Sequence, residues 1–305
     1  MKIAICSLIA VAFSASAGLQ NAGPAPGETL SQSYRGSQRE NVEYQKIPPI
    51  KIFDNLYYVG PGFVSVWLIP TSDGLLLVDS AQEPYVEHVI ENIRKAGFDP
   101  RNVKYILITH GHLDHFGGAA RIRQVSGARV AALEEDWQLI EAAAKAPANP
   151  NRPSGPVLVR DLVTKEGDTI VSGTTTVKVY KMPGHTPGSA SFEFTVYDGV
   201  NQYKALIFGG PGQRNGIEGG TQFLASIERL EREFSDVDVP VHVHSWLTTY
   251  PYPGGAVFER AQSLARRQPG QAHPFVDNRT WRQWLETAHA GTRKSIQDAK
   301  AGLLK

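Results

Sequence analysis

The chain has 305 residues, 41% of them hydrophobic and 20% charged, with 29 Gly and 20 Pro. That composition suits one α/β domain or two compact domains and excludes disordered, collagen-like and membrane-embedded classes. Lys and Arg number 31 against 30 Asp and Glu, a formal charge of +1 with no basic cluster, so the footprint of a nucleic-acid binder is missing and a small molecule is the expected partner.

The chain opens with Lys2, an apolar run from Ile3 to Phe13 and then Ser14-Ala15-Ser16-Ala17. This reads as a secretory signal cleaved after Ala17, since the run falls well short of the roughly 20 apolar residues that span a bilayer. Cleavage removes Cys6, the only cysteine. The expected product is periplasmic, free of thiols and disulfides and without a membrane contact, and any metal site in it must use His and carboxylate ligands. Residues 18–49 are rich in Gly, Pro, Ser and Gln and are expected to form a loosely ordered arm.

The domain expected over 50–305 begins with β-rich runs at 52–59, 64–70 and 75–79, separated by Gly60-Pro61-Gly62 and Ser72-Asp73-Gly74. A helix over 84–96 follows, with Val86, Val89, Ile90 and Ile93 on one face and Gly97 at its end. Next come a strand at 104–108, a helix at 117–125, a strand at 129–133 and a helix at 134–145. Four prolines mark 146–156 as a long loop. A second series has strands over 162–173, 176–182, 189–197 and 204–208, a helix at 222–234, a strand at 237–243 and a last helix over 279–304. Two similarly built halves predict two sheets packed face to face with helices outside.

The chemistry concentrates directly after the strand at 104–108, in Thr109-His110-Gly111-His112-Leu113-Asp114-His115-Phe116-Gly117-Gly118. Ligands at the carboxyl end of a buried strand lie where α/β sheets bind their ligands. His110 and His112 point to one side of an extended loop, and the turn through Asp114 and His115 supplies a second donor set. Such a cluster suits two metals about 3.5–4 Å apart, and imidazole with carboxylate suits catalytic zinc. His185, in Met182-Pro183-Gly184-His185-Thr186-Pro187-Gly188, also follows a strand. In Val241-His242-Val243-His244, either histidine is a candidate, and His244 lies nearer the strand's carboxyl end. His88, His273 and His289 are expected to be solvated, and 246–255 offers either a roof over the site or a surface loop.

The strand ending in Asp79, HGHLDH, PGHTPG and a late strand-His, in that order, resemble the metallo-β-lactamase superfamily from about Ile52 onward. The resemblance implies a four-layer αββα sandwich with a dinuclear zinc site at one edge. It assigns His110, His112 and His185 to one zinc and Asp114, His115 and His244 to the other, with Asp79 supporting the ligand loop. A ligand set with His115 and no cysteine looks like subclass B3 of the β-lactamases. In glyoxalase II-like and lactonase-like relatives the strand after PGH ends in an aspartate bridging both metals, whereas here it ends Phe208-Gly209-Gly210. Subclass B3 enzymes usually have serines just beyond; here Pro211 to Asn215 occupy the stretch, making Gln213 and Arg214 the candidate substrate contacts.

The implied activity is antibiotic resistance by hydrolysis of penicillins, cephalosporins and carbapenems, with Asp114 as the catalytic carboxylate and zinc-activated hydroxide as nucleophile. No G-x-S-x-G serine elbow competes with it. A related zinc hydrolase of lactones or other esters and amides, and a non-catalytic periplasmic zinc-binding protein, are the alternative readings.

Overall fold

A computed structural model describes residues 23–147, 155–214, 216–253 and 256–303. The expected signal segment lies outside them, as does most of the proline-rich loop. Among the described residues no helix is long and apolar enough to cross a membrane.

The first sheet has seven strands in chain order, β1 (Ile50–Phe53), β2 (Leu56–Tyr58), β3 (Trp67–Thr71), β4 (Gly74–Val78), β5 (Val103–Leu107), β6 (Arg129–Leu133) and β7 (Leu162–Thr164). Pairing is antiparallel through β4 and parallel from β4 to β7. Parallel neighbours need crossovers, and these are the helices α3 (Val86–Lys95), α4 (Leu113–Phe116), α5 (Ala119–Ser126) and α6 (Glu134–Lys145). The second sheet joins β8 (Thr169–Ser172), β9 (Thr175–Lys181), β10 (Ala190–Asp198), β11 (Asn201–Phe208) and β12 (Val239–His242) in the order β12-β11-β10-β9-β8. Only β11 and β12 pair in parallel there, across helix α7 (Gly216–Glu233). Two further helices, α8 (Val257–Ala265) and α9 (Asn278–Lys300), complete this half.

Strand alternation sorts the apolar residues into layers. Leu76 and Val78 of β4 point inward with Trp67 and Ile69, meeting Val179, Phe192 and Ile207 of the second sheet. Leu75 and Leu77 point the other way, onto Val89, Ile90 and Ile93 of α3. On the far face Leu206 and Phe208 pack against Phe223 and Ile227 of α7 and Trp281 and Trp284 of α9. The result is the expected helix–sheet–sheet–helix sandwich.

Three stretches fold differently from their sequence reading. The run at 52–59 divides at Asp54-Asn55, where Phe53 pairs with Leu56 in a hairpin. The run at 162–173 divides between the two sheets at Gly167, whose φ of 81° suits glycine. The described part of the expected loose arm contains α1 (Leu30–Arg35) and α2 (Val42–Gln45). A capping box between Thr29 and Gln32 starts α1. Buried Gln45 donates to the carbonyls of Tyr34 (2.8 Å) and Gln38 (2.9 Å). Ser31 is bound through its backbone N and its Oγ to Glu259 of α8 at 2.8 and 2.6 Å. Partners more than two hundred positions away order this segment, and local composition does not carry that information.

Candidate metal centre

The carboxyl ends of β4 and β5 build the floor of the site. Asp79 follows β4 with φ 63°, a left-handed conformation uncommon for a residue other than glycine. Its backbone N donates to the Leu107 carbonyl at 2.9 Å. Its buried carboxylate accepts from Thr109 N (2.8 Å), Thr109 Oγ1 (2.7 Å) and His115 Nδ1 (2.7 Å). One side chain thereby fixes where the ligand loop leaves β5 and which face His115 presents. The second sheet is tied in at the same point, where Ala190 N of β10 donates to the Thr109 carbonyl at 2.7 Å.

Six donors converge above this floor. His110, His112 and His185 form one group and Asp114, His115 and His244 another, with the ligand atoms of each group within 4.8 Å of one another. Nδ1 of His115 is engaged by Asp79, and Nδ1 of His185 lies 2.9 Å from the Gly212 carbonyl. Nδ1 of His244 lies 3.2 Å from the Phe63 carbonyl. In the His115 and His185 rings the Nδ1 proton has an acceptor, which leaves Nε2 as the free lone pair, whereas His244 Nδ1 also lies 2.6 Å from the donor Nη1 of Arg35. Nε2 of His110 and of His115 are buried with no hydrogen-bond partner. Orphaned buried imidazole nitrogens are costly unless a cation takes their lone pairs, so these two donor groups fit metal ions.

The electrostatics agree with that fit. Burial, with the neighbouring His115, holds the pKa of His110 well below the usual histidine range. Burial and His112 depress His185 to about 3, and burial and Arg35 depress His244. These rings are neutral at pH 7 and able to ligate. Burial disfavours the His115 cation, but the Asp114 and Asp79 carboxylates outweigh it and raise its pKa. Burial raises the Asp114 pKa, and the opposing fields of His115, His112 and Arg35 win and lower it.

Residues 59–200 match the family model of the metallo-beta-lactamase superfamily. The chain carries a metallo-β-lactamase superfamily domain. Among solved structures it is similar to the subclass B3 metallo-β-lactamase of Bradyrhizobium japonicum, with TM-score 0.72 and 29% identity over 86% of this chain and 99% of that one. It is also similar to the native metallo-β-lactamase of Legionella gormanii, with TM-score 0.74 and 26% identity over 84% and 98%. Curated relatives include hydroxyacylglutathione hydrolases. That of Pseudomonas putida (strain F1) is 39% identical over 87 residues, 28% of this chain and 26% of the relative. That of Haemophilus influenzae is 28% identical over 139 residues, 45% of this chain and 61% of the relative. The chain thus spans about a quarter of the first and less than two thirds of the second.

Beyond the matched residues, His244 and not His242 joins Asp114 and His115. The strand ends at His242, so the two rings no longer share a face. His242 packs against Tyr252 and Trp284 with ring centroids at 5.5 and 5.2 Å. Its unpartnered nitrogens border a cavity of about 20 Å³, room for one water. His273, expected in solvent, is buried, stacked on Phe53 at 4.0 Å, with Nε2 2.9 Å from the Ile52 carbonyl. His88 and His289 are half-buried, beside Asn92 and Glu231. Tyr250 and Tyr252 belong to the core, whereas Trp246 to Thr249 line a polar cavity of about 200 Å³ beside His185 and His244. Gln213 reaches that wall but donates to Ser295 of α9, and Arg214 lines it with an exposed side chain.

Sequence reasoning passed over Asp136. Near the start of α6, its carboxylate accepts from Thr186 Oγ1 at 2.9 Å and from the backbone at Gly111 and Gly188, clamping the loops that carry His110, His112 and His185. Burial raises its pKa to about 7. The signal for it was an acidic residue in the first turn of a helix, which is common on solvated surfaces and carries no hint of this contact.

Proposed function

We propose that this domain is a periplasmic hydrolase of subclass B3 type that binds two zinc ions and opens the amide of β-lactams. The observation that carries the reading is the donor set of three histidines beside an Asp-His-His group, with no carboxylate at the end of β11. Gly209 is confined to glycine there, because a Cβ would stand 1.8 Å from the Ala190 carbonyl oxygen. The likeness over nearly the full length of two β-lactamases supports the same reading.

His110, His112 and His185 would hold one ion, and Asp114, His115 and His244 the other. Such ions polarise a carbonyl and lower the pKa of water toward neutrality. The chain's own contribution is placement. Asp114, ionised at neutral pH, accepts a proton-bearing edge of the attacking water and aims it at the carbonyl carbon. Asp79 and Asp136 hold the ligand loops in register, so that this geometry exists before substrate arrives. On one side the site opens to a cavity of about 350 Å³ walled by Leu113, Leu139, Ala142 and Ala143, suited to an apolar acyl group.

A thioester substrate is the second reading, favoured by the hydroxyacylglutathione hydrolases among the relatives. Turnover of a chromogenic cephalosporin, a lactone and a glutathione thioester, each with and without chelator, separates them. The proposal expects chelator-sensitive cephalosporin hydrolysis as the fastest reaction. Thioester or lactone cleavage without β-lactam cleavage would replace it.

A further inference from the structure

Helix α1 delivers a cation to the mouth of the site. Besides the Ser31–Glu259 bonds, the Tyr34 ring packs on Phe258 and Tyr44 at 4.7 and 4.9 Å. It also covers Gly62 so closely that a Cβ there would lie 1.9 Å from the ring. Arg35, the last residue of the helix, is therefore held in place by its neighbours. Its Nη1 donates to the Phe63 carbonyl at 3.2 Å and stands 2.6 Å from His244 Nδ1.

These two contacts occupy Nη1. Nε of Arg35 is buried with no partner. Among the described residues Arg35 makes no ion pair with a carboxylate. The field of the Asp114 carboxylate reaches its charge without touching it, and a buried Nε–H with no acceptor is an arrangement that an incoming anion relieves. The polar cavity of about 200 Å³ lies directly beyond, and Arg214 lines it too, close enough to oppose the Arg35 charge. Two guanidiniums border one space, between His185 and His244 on one side and Thr248 and Thr249 on the other.

We propose that Arg35, supplied by the N-terminal segment and assisted by Arg214, binds the anionic group of the substrate, so that the enzyme selects compounds carrying a carboxylate on the leaving-group side of the scissile bond. This rests on the hydrolase reading above and names the substrate class of the same site. Arg35 takes the place of the serines missing after β11, from a part of the chain far away in sequence.

The test compares wild type, Arg35→Gln, Arg35→Lys and Arg214→Gln as zinc-loaded full chains. The kinetic arm uses a chromogenic cephalosporin and its neutral methyl ester. The binding arm measures, by calorimetry, ring-opened benzylpenicillin and its dimethyl ester, which are not turned over. Arg35→Gln is expected to raise KM for the acid about tenfold with little change in kcat, and to weaken the ring-opened acid about tenfold, as loss of a charge-assisted hydrogen bond implies. The esters should respond little, Arg35→Lys should recover part of the loss, and Arg214→Gln should show a smaller effect in the same direction. Unchanged acid preference in Arg35→Gln would overturn the proposal. Loss of zinc from that variant would overturn it as well, by giving Arg35 a role in holding His244. If wild type hydrolyses no β-lactam, the functional reading fails alone, since the binding arm still decides whether Arg35 recognises the anion.

Discussion

The floor of the site and its mouth are built in opposite ways. The floor comes from short loops at the ends of neighbouring strands, so Asp79, Thr109, His110, His112, Asp114 and His115 are placed by elements within forty residues of one another. The mouth is assembled from Arg35, the turn at 211–214 and the segment at 246–249, which meet only in the finished fold. In the floor, Asp79, Thr109 and His115 Nδ1 are committed to one another before any ligand arrives and the imidazole Nε2 atoms are left for a metal, while the mouth keeps a guanidinium donor unspent. On the proposed reading, chemistry would be set by local chain geometry and selection by long-range packing.

If the floor is one pre-assembled unit, removing Asp114 has the largest effect. Asp114→Asn keeps the size and loses the charge, and its turnover should fall by about two to four orders of magnitude with an unchanged circular dichroism spectrum. Residual activity near wild type would show that the carboxylate neither ligates nor orients. Next in size, His244→Ala and His115→Ala should each lose about one of two zinc ions by metal analysis while His242→Ala keeps both. A loss in His242→Ala would exchange the two histidines. Asp79→Ala, which frees the Nδ1 proton of His115, should weaken zinc binding by about 10- to 100-fold in a competition titration.

The pH response sharpens the comparison further. The Asp136 carboxyl is raised by burial from 3.8 to about 7, so between those values the folded state keeps a proton that the unfolded chain releases. Its contribution to stability is therefore present below pH 3.8 and lost as pH rises toward 7. Urea midpoints of wild type should fall across that window relative to those of Asp136→Asn, and parallel curves would show that the group does not titrate there. The smallest effect belongs to the mouth. Glu259→Ala releases Ser31 and should cost about 1 kcal/mol, seen as faster proteolysis of the N-terminal segment, together with a KM increase in the same direction as Arg35→Gln. An arm that stays protected would show that Tyr34 packing suffices.

What could be read in advance follows the same division. The layered fold was legible because strand and helix periods alternate cleanly, and most of the donor set because its spacing follows predicted strands. Sequence position favoured His244 over His242, and the geometry agrees, but the reason, that β12 stops at His242, was not legible. Arg35 and Asp136 were not legible at all. Arg35 sits in a segment whose composition resembles disorder and whose order comes from Glu259 and Phe258, and Asp136 is one acid among three in the first turn of α6.

The central claim is that six side chains from two loops and one strand end make a two-metal hydrolytic site. Its most direct test is to strip the protein with a chelator and titrate zinc back while following hydrolysis of a chromogenic cephalosporin. Turnover should be absent in the stripped protein, rise with added zinc and level off at about two equivalents per chain. Hydrolysis that survives the chelator, or none at any zinc concentration, would contradict the account.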